Sequence, residues 1–239
     1  MKQKKSLIII SAVLAVLIVA IVAIVLIQGR NKAYKAIEVI SQTERNDESG
    51  TKYLACDRGV IRYGRDGITA LNPSGEILWV GAYTMTNPKV RTAGNATVVY
   101  DVNNYELIVY DEDGSATTIK MLSRIMEVAI SEQGEVAILL EESDGYRIEI
   151  MDPYAVTKSE TEKAVIRTYV EEDGYAVSLA ISKDGSKLVT SYTDVTGGTV
   201  SSKLTFYNFS GVGQAANANR IVGVFPYEDA IYTDRIHGQ

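Results

Sequence analysis

The sequence predicts an all-β domain of β-propeller type behind a single hydrophobic N-terminal helix. Three observations carry that expectation. A long uncharged apolar run opens the chain, short runs rich in Val, Ile, Tyr and Thr alternate with turn dipeptides from Lys52 onward, and two turn markers recur together four times.

The apolar run extends from Leu7 to Ile27 with Ser11 as its one polar residue. As a helix it would be about 31 Å long at ~1.5 Å per residue, the thickness of a bilayer's hydrocarbon core. It ends in Val25-Leu26-Ile27-Gln28, without the small-residue site at which a secretory signal is cut, so an uncleaved signal anchor is expected. Lys2, Lys4 and Lys5 precede it, and Arg30, Lys32 and Lys35 follow it. The six-residue tail and the large acidic remainder favour an N-terminus inside and a C-terminal domain outside the cytoplasm. The expected organisation is a cytoplasmic tail at 1–6, a transmembrane anchor at 7–27, a polar stalk at 28–51 and the β domain at 52–239. The bilayer is then a partner through Leu7–Ile27.

Charge excludes one class of partner. Those six cations leave 18 Lys and Arg against all 30 Asp and Glu in the rest of the chain, a balance of −12. Nucleic acid needs a basic face to displace its counterions, and none is expected here. Cys56 is the single cysteine, so an internal disulfide and a Cys/His zinc site are excluded.

The β domain is read from its turns. Asp66-Gly67, Asp113-Gly114, Asp144-Gly145, Asp173-Gly174, Asp184-Gly185 and Gly197-Gly198 supply the positive φ that tight hairpins require. One tip recurs as an apolar strand, Asn or Asp, two residues, then Gly: Asn72 to Gly75, Asp111 to Gly114, Asp152 to Ala155 (Ala in place of Gly) and Asn208 to Gly211. Asn and Asp bond the backbone two residues on, and Gly takes the left-handed position, so this is a structural repeat turn. A second marker runs in phase, with Gly59, Gly94, Gly134 and Gly185 each just ahead of a strand. The two series step by 39, 41, 56 and by 35, 40, 51 residues. A period near about 40 with about four strands per unit is the mark of propeller blades, each of which buries its faces only against its neighbours. The runs "VAILL" and "LIVY" are apolar without alternation, as strands covered on both faces should be. A sandwich of irregular hairpins is the alternative.

The expected count is about four blades plus the start of a fifth at "RIVGVFPYEDAIY", Arg220 to Tyr232. An open arc leaves two blade faces bare, so the chain is expected to be truncated and residues 33–239 to self-associate or melt without cooperativity.

Two resemblances add to this reading. "ALNPSGEILW" resembles the tip of a quinoprotein-type or WD40-like propeller repeat. The anchor, "DGYAVSLAISKDGSKLVTSY" and "LTFYNFSGVGQ" resemble an uncharacterised family of Gram-positive bacteria, a domain of unknown function with one membrane helix and a propeller-like exported part. That resemblance implies a fold and an address. It assigns no functional residue, and the family's members usually continue beyond the point where this chain stops.

No catalytic constellation stands out. His237 is the one histidine, so Ser/His/Asp and Cys/His nucleophile systems are not expected. "SGVGQ" lacks the Lys-Ser/Thr of a phosphate loop. "EESDG" and "EEDG" lack the ligand spacing of a calcium loop. Neither cofactor nor metal is expected. The expected role is non-catalytic binding of an envelope or extracellular protein or polymer. The alternatives are a glycan-acting envelope enzyme with an Asp/Glu pair, or a small-molecule or quinone sensor.

Overall fold

The computed structural model describes residues 14, 16–19, 22, 39, 42, 47–154, 164–170, 174–195, 199–209 and 221–227. The chain divides into two compact units, Met1–Ile40 and Ser41–Gln239. In the first, Leu14, Val16, Leu17, Ile18, Val19 and Val22 are helical and each more than half exposed. No helix among the described residues is long and apolar enough to cross a membrane. Most of the anchor expected at 7–27 lies outside them.

The second unit is all-β and consists of four four-stranded antiparallel meanders. The first sheet is β1 (Lys52–Cys56), β2 (Gly59–Tyr63), β3 (Gly67–Leu71) and β4 (Ile77–Ala82). The second is β5 (Pro88–Ala93), β6 (Ala96–Asp101), β7 (Glu106–Tyr110) and β8 (Ala116–Lys120). The third is β9 (Arg124–Ile130), β10 (Val136–Glu142), β11 (Gly145–Met151) and β12 (Ala164–Val170). The fourth is β13 (Tyr175–Ile181), β14 (Lys187–Asp194), β15 (Ser201–Asn208) and β16 (Ile221–Tyr227).

The sheets pack face to face like propeller blades, and each first strand lies beside the next: β1 by β5, β5 by β9, β9 by β13. The period of two in a strand sorts the core. On the second sheet Val99 and Ile108 face the first sheet, with Ile61 and Ile68. Val98, Tyr100, Leu107 and Val109 face the third sheet, with Ile125, Val128 and Ile138. Leu139 and Ile148 turn the other way, onto Leu188, Tyr192 and Tyr207 of the fourth. The uninterrupted runs in β7 and β10 are thus covered on both faces, as their composition predicts.

Three expectations need correction. Gly67 does not take the positive φ expected of Asp66-Gly67; it opens β3 in a backbone conformation open to other residues. "IVGVFPY" does not open a fifth unit: Ile221–Tyr227 pairs antiparallel with β15 and completes the fourth sheet. The described residues therefore make four whole sheets. Gly174, with φ 123°, sits on the crossover from β12 to β13 rather than in a hairpin. Gly197-Gly198 lies outside the described residues.

Candidate functional site

Both turn markers map to one end of the sheets. Gly59, Gly94, Gly134 and Gly185 fall in the first hairpin of each sheet, all with positive φ. The Asn/Asp tips fall in the third hairpin, and in a meander the first and third turns share an end. Asn72 Oδ1 accepts from the Ser74 and Glu76 amides at 2.9 Å each, with Gly75 at φ 84°. Asp111 Oδ1 accepts from Asp113 and Ser115 at 3.2 and 2.9 Å, with Gly114 at φ 86°. Asp152 Oδ1 accepts from the Tyr154 amide at 2.9 Å. Asn208 closes β15. Ala155 and Gly211 lie outside the described residues. These tips also stitch neighbours together: Arg58 donates to the Glu112 carbonyl at 3.2 Å, and Lys183 pairs with Glu132 at 2.8 Å. Burial and the adjoining Asp113 raise the Asp111 carboxyl, whereas hydrogen bonds from Ser115 and Asp111 bring Asp113 down to about 2. Both sit on exposed turns, where this chemistry holds a loop rather than a ligand.

A buried charged cluster joins the second and third sheets, and no sequence motif marks it. A register shift between β9 and β10, at Leu139/Leu140, is a bulge. It aims consecutive residues Glu127 and Val128 at the second sheet. The Glu127 carboxylate is buried there. It receives Lys89 Nζ at 3.0 Å and Arg91 Nη2 at 2.7 Å, two residues on one face of β5, and a short hydrogen bond from the Tyr100 hydroxyl. Burial, then the Glu127 charge, raises the Tyr100 phenol well above its ordinary value, so Tyr100 remains a donor. On the outer strands of the third sheet, buried Glu149 lies 2.8 Å from Arg147 Nη1 and 3.0 Å from Arg167 Nε. Arg147 Nε also sits 2.9 Å from Glu142, close enough to pair yet misaligned for a hydrogen bond.

An accessible polar cleft of about 660 Å³ lies beside the β2–β3 turn, lined by residues 47–52 and 62–67 together with Thr69 and 86–88. Its floor is fixed by Asp101, buried at the end of β6. Asp101 accepts from the Thr86 and Asn87 amides at 3.0 and 2.6 Å and so pins the connector entering β5. Asp47, on its wall, accepts from Tyr53 Oη at 2.6 Å and lies 3.9 Å from Arg62. Lys52 and Arg65 stand exposed at the rim against Glu48 and Asp66. Burial raises the Tyr63 phenol, with Arg91 opposing. The cleft offers donors and charges of both signs, which suits a polar or zwitterionic surface. Among the described residues no three His, Cys, Asp or Glu side chains converge as a metal would need. Cys56 is a half-buried free thiol, and His237 lies outside the described residues.

Four meander sheets packed face to face, with their first strands adjacent, define a protein of β-propeller type. The chain belongs to the family of unknown function DUF5711, which matches residues 30–235. Among solved structures it resembles Hsv2 of Kluyveromyces lactis, at 11% identity over 78% of this chain and 59% of that one, with a TM-score of 0.54. Hydrazine synthase of Kuenenia stuttgartiensis is similar at 15% identity, 78% and 53% coverage and a TM-score of 0.53. The Pan2 WD40 domain of Neurospora crassa gives 12%, 74%, 52% and 0.47. The chain spans about half the length of these structures, and at such identities the likeness to Hsv2 and hydrazine synthase shows the fold alone. No curated protein matches it.

Proposed function

We propose that the chain is a single-pass membrane protein that presents its propeller-type unit outside the cytoplasm as a non-catalytic binding or scaffolding module. Its partner would be an envelope protein or polymer. What carries the reading is how charge is used. Glu127 is clamped by Lys89 and Arg91, and Glu149 by Arg147 and Arg167. Both carboxylates are taken up by cations in the packing of the sheets, whereas a general acid or base must have a carboxyl placed within reach of a substrate. The open cleft carries mixed charge on turns, the arrangement of a recognition surface. The apolar run at 7–27 and the polar stalk after it support the address.

Two outcomes are expected. Protease added to intact cells removes the unit from residue 52 onward and leaves the anchor; digestion of an N-terminal tag instead reverses the topology. Arg65→Ala lowers capture of the envelope partner several-fold while the melting temperature stays within about 1–2 °C, because exposed substitutions cost under about 0.5 kcal/mol. Turnover of a cell-wall glycan that one carboxylate substitution abolishes would replace this reading with an enzymatic one.

A further inference from the structure

Cations in the second unit are held close to carboxylates. Lys89, Arg91, Arg147, Arg167 and Lys183 each lie within 3.0 Å of one. The cleft beside the β2–β3 turn departs from that habit. Arg62 lines it with 41% of its side chain exposed. Its one side-chain hydrogen bond among the described residues runs from Nη2 to Thr69 Oγ1 at 3.3 Å. A guanidinium has five N–H donors, so most of these stay uncommitted. Asp47 is 3.9 Å from it, too far to accept, and accepts on its other oxygen from Tyr53 Oη at 2.6 Å. Lys52 and Arg65 line the same cleft. Among the described residues no hydrogen bond or ion pair reaches their side chains, or those of Glu48 and Asp66.

We propose that this cleft binds a zwitterionic unit of an envelope polymer, its phosphate or carboxylate on Arg62 and its ammonium on Glu48 or Asp66. The inference rests on the cleft being the recognition surface. Three cations and three carboxylates line it, so it is electrically balanced inside an acidic domain. A polyanion is repelled by the surrounding domain. A polycation is drawn first to the acidic turn at Asp111 to Asp113, at the opposite end of the sheets. A unit carrying both charges is favoured where both find partners. The guanidinium fork matches two oxygens of a phosphate or carboxylate, and an ammonium offers three donors to the rim carboxylates. No hydrogen-bonded ion pair has to break first, because Asp47 does not hold Arg62.

The test uses the full chain in an uncharged maltoside, titrated by ligand-observed NMR. Glycerophosphoethanolamine and β-alanine supply the phosphate and carboxylate zwitterions; glycerol 3-phosphate and ethanolamine supply one charge each. One zwitterion should bind saturably and at least fivefold more tightly than either single-charge probe. Arg62→Gln should weaken it at least fivefold, as should Glu48→Gln combined with Asp66→Asn, while Lys183→Gln at the opposite end changes nothing. Arg65→Ala, exposed at the rim, gives the same direction should Arg62→Gln fail to fold. Titration in phosphatidylglycerol and phosphatidylethanolamine vesicles separates the sources. Equal binding supports a polymer, and loss in phosphatidylethanolamine alone overturns it, because headgroups then fill the cleft. No saturable binding, tighter binding of glycerol 3-phosphate than of both zwitterions, or indifference to the cleft variants also overturns the proposal. If Arg65→Ala still lowers capture of the envelope partner in those cases, the recognition surface stands and only its ligand class falls; if capture is unchanged too, both fall.

Discussion

Glu127→Ala is expected to destabilise the propeller-type unit by about 2–4 kcal/mol, a fall in melting temperature of roughly 5–15 °C for a domain of this size. The estimate is built from what the carboxylate leaves behind. The Tyr100 hydroxyl is fully enclosed and loses its acceptor, which costs about 1–3 kcal/mol. The Lys89 and Arg91 side chains are 40% and 41% exposed, so they rehydrate in part and their share is well below that of a sealed ion pair. The rest is the space vacated between two sheets. Tyr100→Phe removes donor and demand together and should cost about 1 kcal/mol. In the Tyr100→Phe background, Glu127→Ala should cost at least about 1 kcal/mol less than in the wild type, since the orphaned hydroxyl is already gone. Urea midpoints of the four proteins decide the matter. Additive losses, or a Glu127→Ala effect under about 0.5 kcal/mol, would mean that the cluster is ornament on an apolar interface.

That cluster also shows where sequence reading stops. Lys89 and Arg91 lie 38 and 36 residues from Glu127, and only the packing of one sheet on the next brings them together. A local signal does exist. Glu127 interrupts the run Ile125-Met-Glu-Val-Ala-Ile130, and a lone carboxylate inside an apolar strand implies a buried cation. What the run cannot show is the bulge that turns Glu127 and Val128 to the same side. The cleft was equally illegible, because its walls come from the first sheet, the residues before it and the connector after it.

The blades themselves were legible because turns are local. Gly59, Gly94, Gly134 and Gly185 take φ of 139°, 53°, 90° and 69°, a region that disfavours other residues. The backbone demand therefore writes itself into the sequence at each repeat. Reading failed where a hairpin was lengthened. From Leu71 to Ile77 and from Tyr110 to Ala116 the return is short and its register is set by the turn. From Asn208 to Ile221 the link is long, and a strand that follows a long link can equally return as a hairpin or cross to a new sheet. Pairing with β15 settles that choice in the structure; spacing could not.

The role of Trp79 in the repeat leads to the second large effect. Its indole stacks on Tyr110 across the first and second sheets, ring centroids 5.0 Å apart and planes at 15°. Two glycines make that room. A Cβ on Gly114 would lie 2.6 Å from Trp79 Cβ, and one on Gly81 would lie 2.5 Å from Tyr110 Oη and 2.6 Å from its Cε1 and Cζ. Gly81 has no positive φ, so alanine fits its backbone and should by itself stabilise an extended strand by about 0.4–1 kcal/mol. The ring reverses the sign. Gly81→Ala in the wild type must displace the buried Tyr110, and should cost about 1–3 kcal/mol by overpacking. Tyr110→Leu removes the three clashing atoms while keeping the core filled. In that background Gly81→Ala should be neutral or stabilising, a coupling of about 1 kcal/mol or more between sites on different sheets. The readout is the change in urea midpoint for each step of the cycle, with near-ultraviolet circular dichroism reporting the Trp79 environment. Equal losses from Gly81→Ala with and without the ring would show that glycine serves the backbone of β4 and that the stack is incidental. A loss confined to the ring-bearing protein would make the Trp79–Tyr110 contact, with its two glycines, the element that locks one blade to the next.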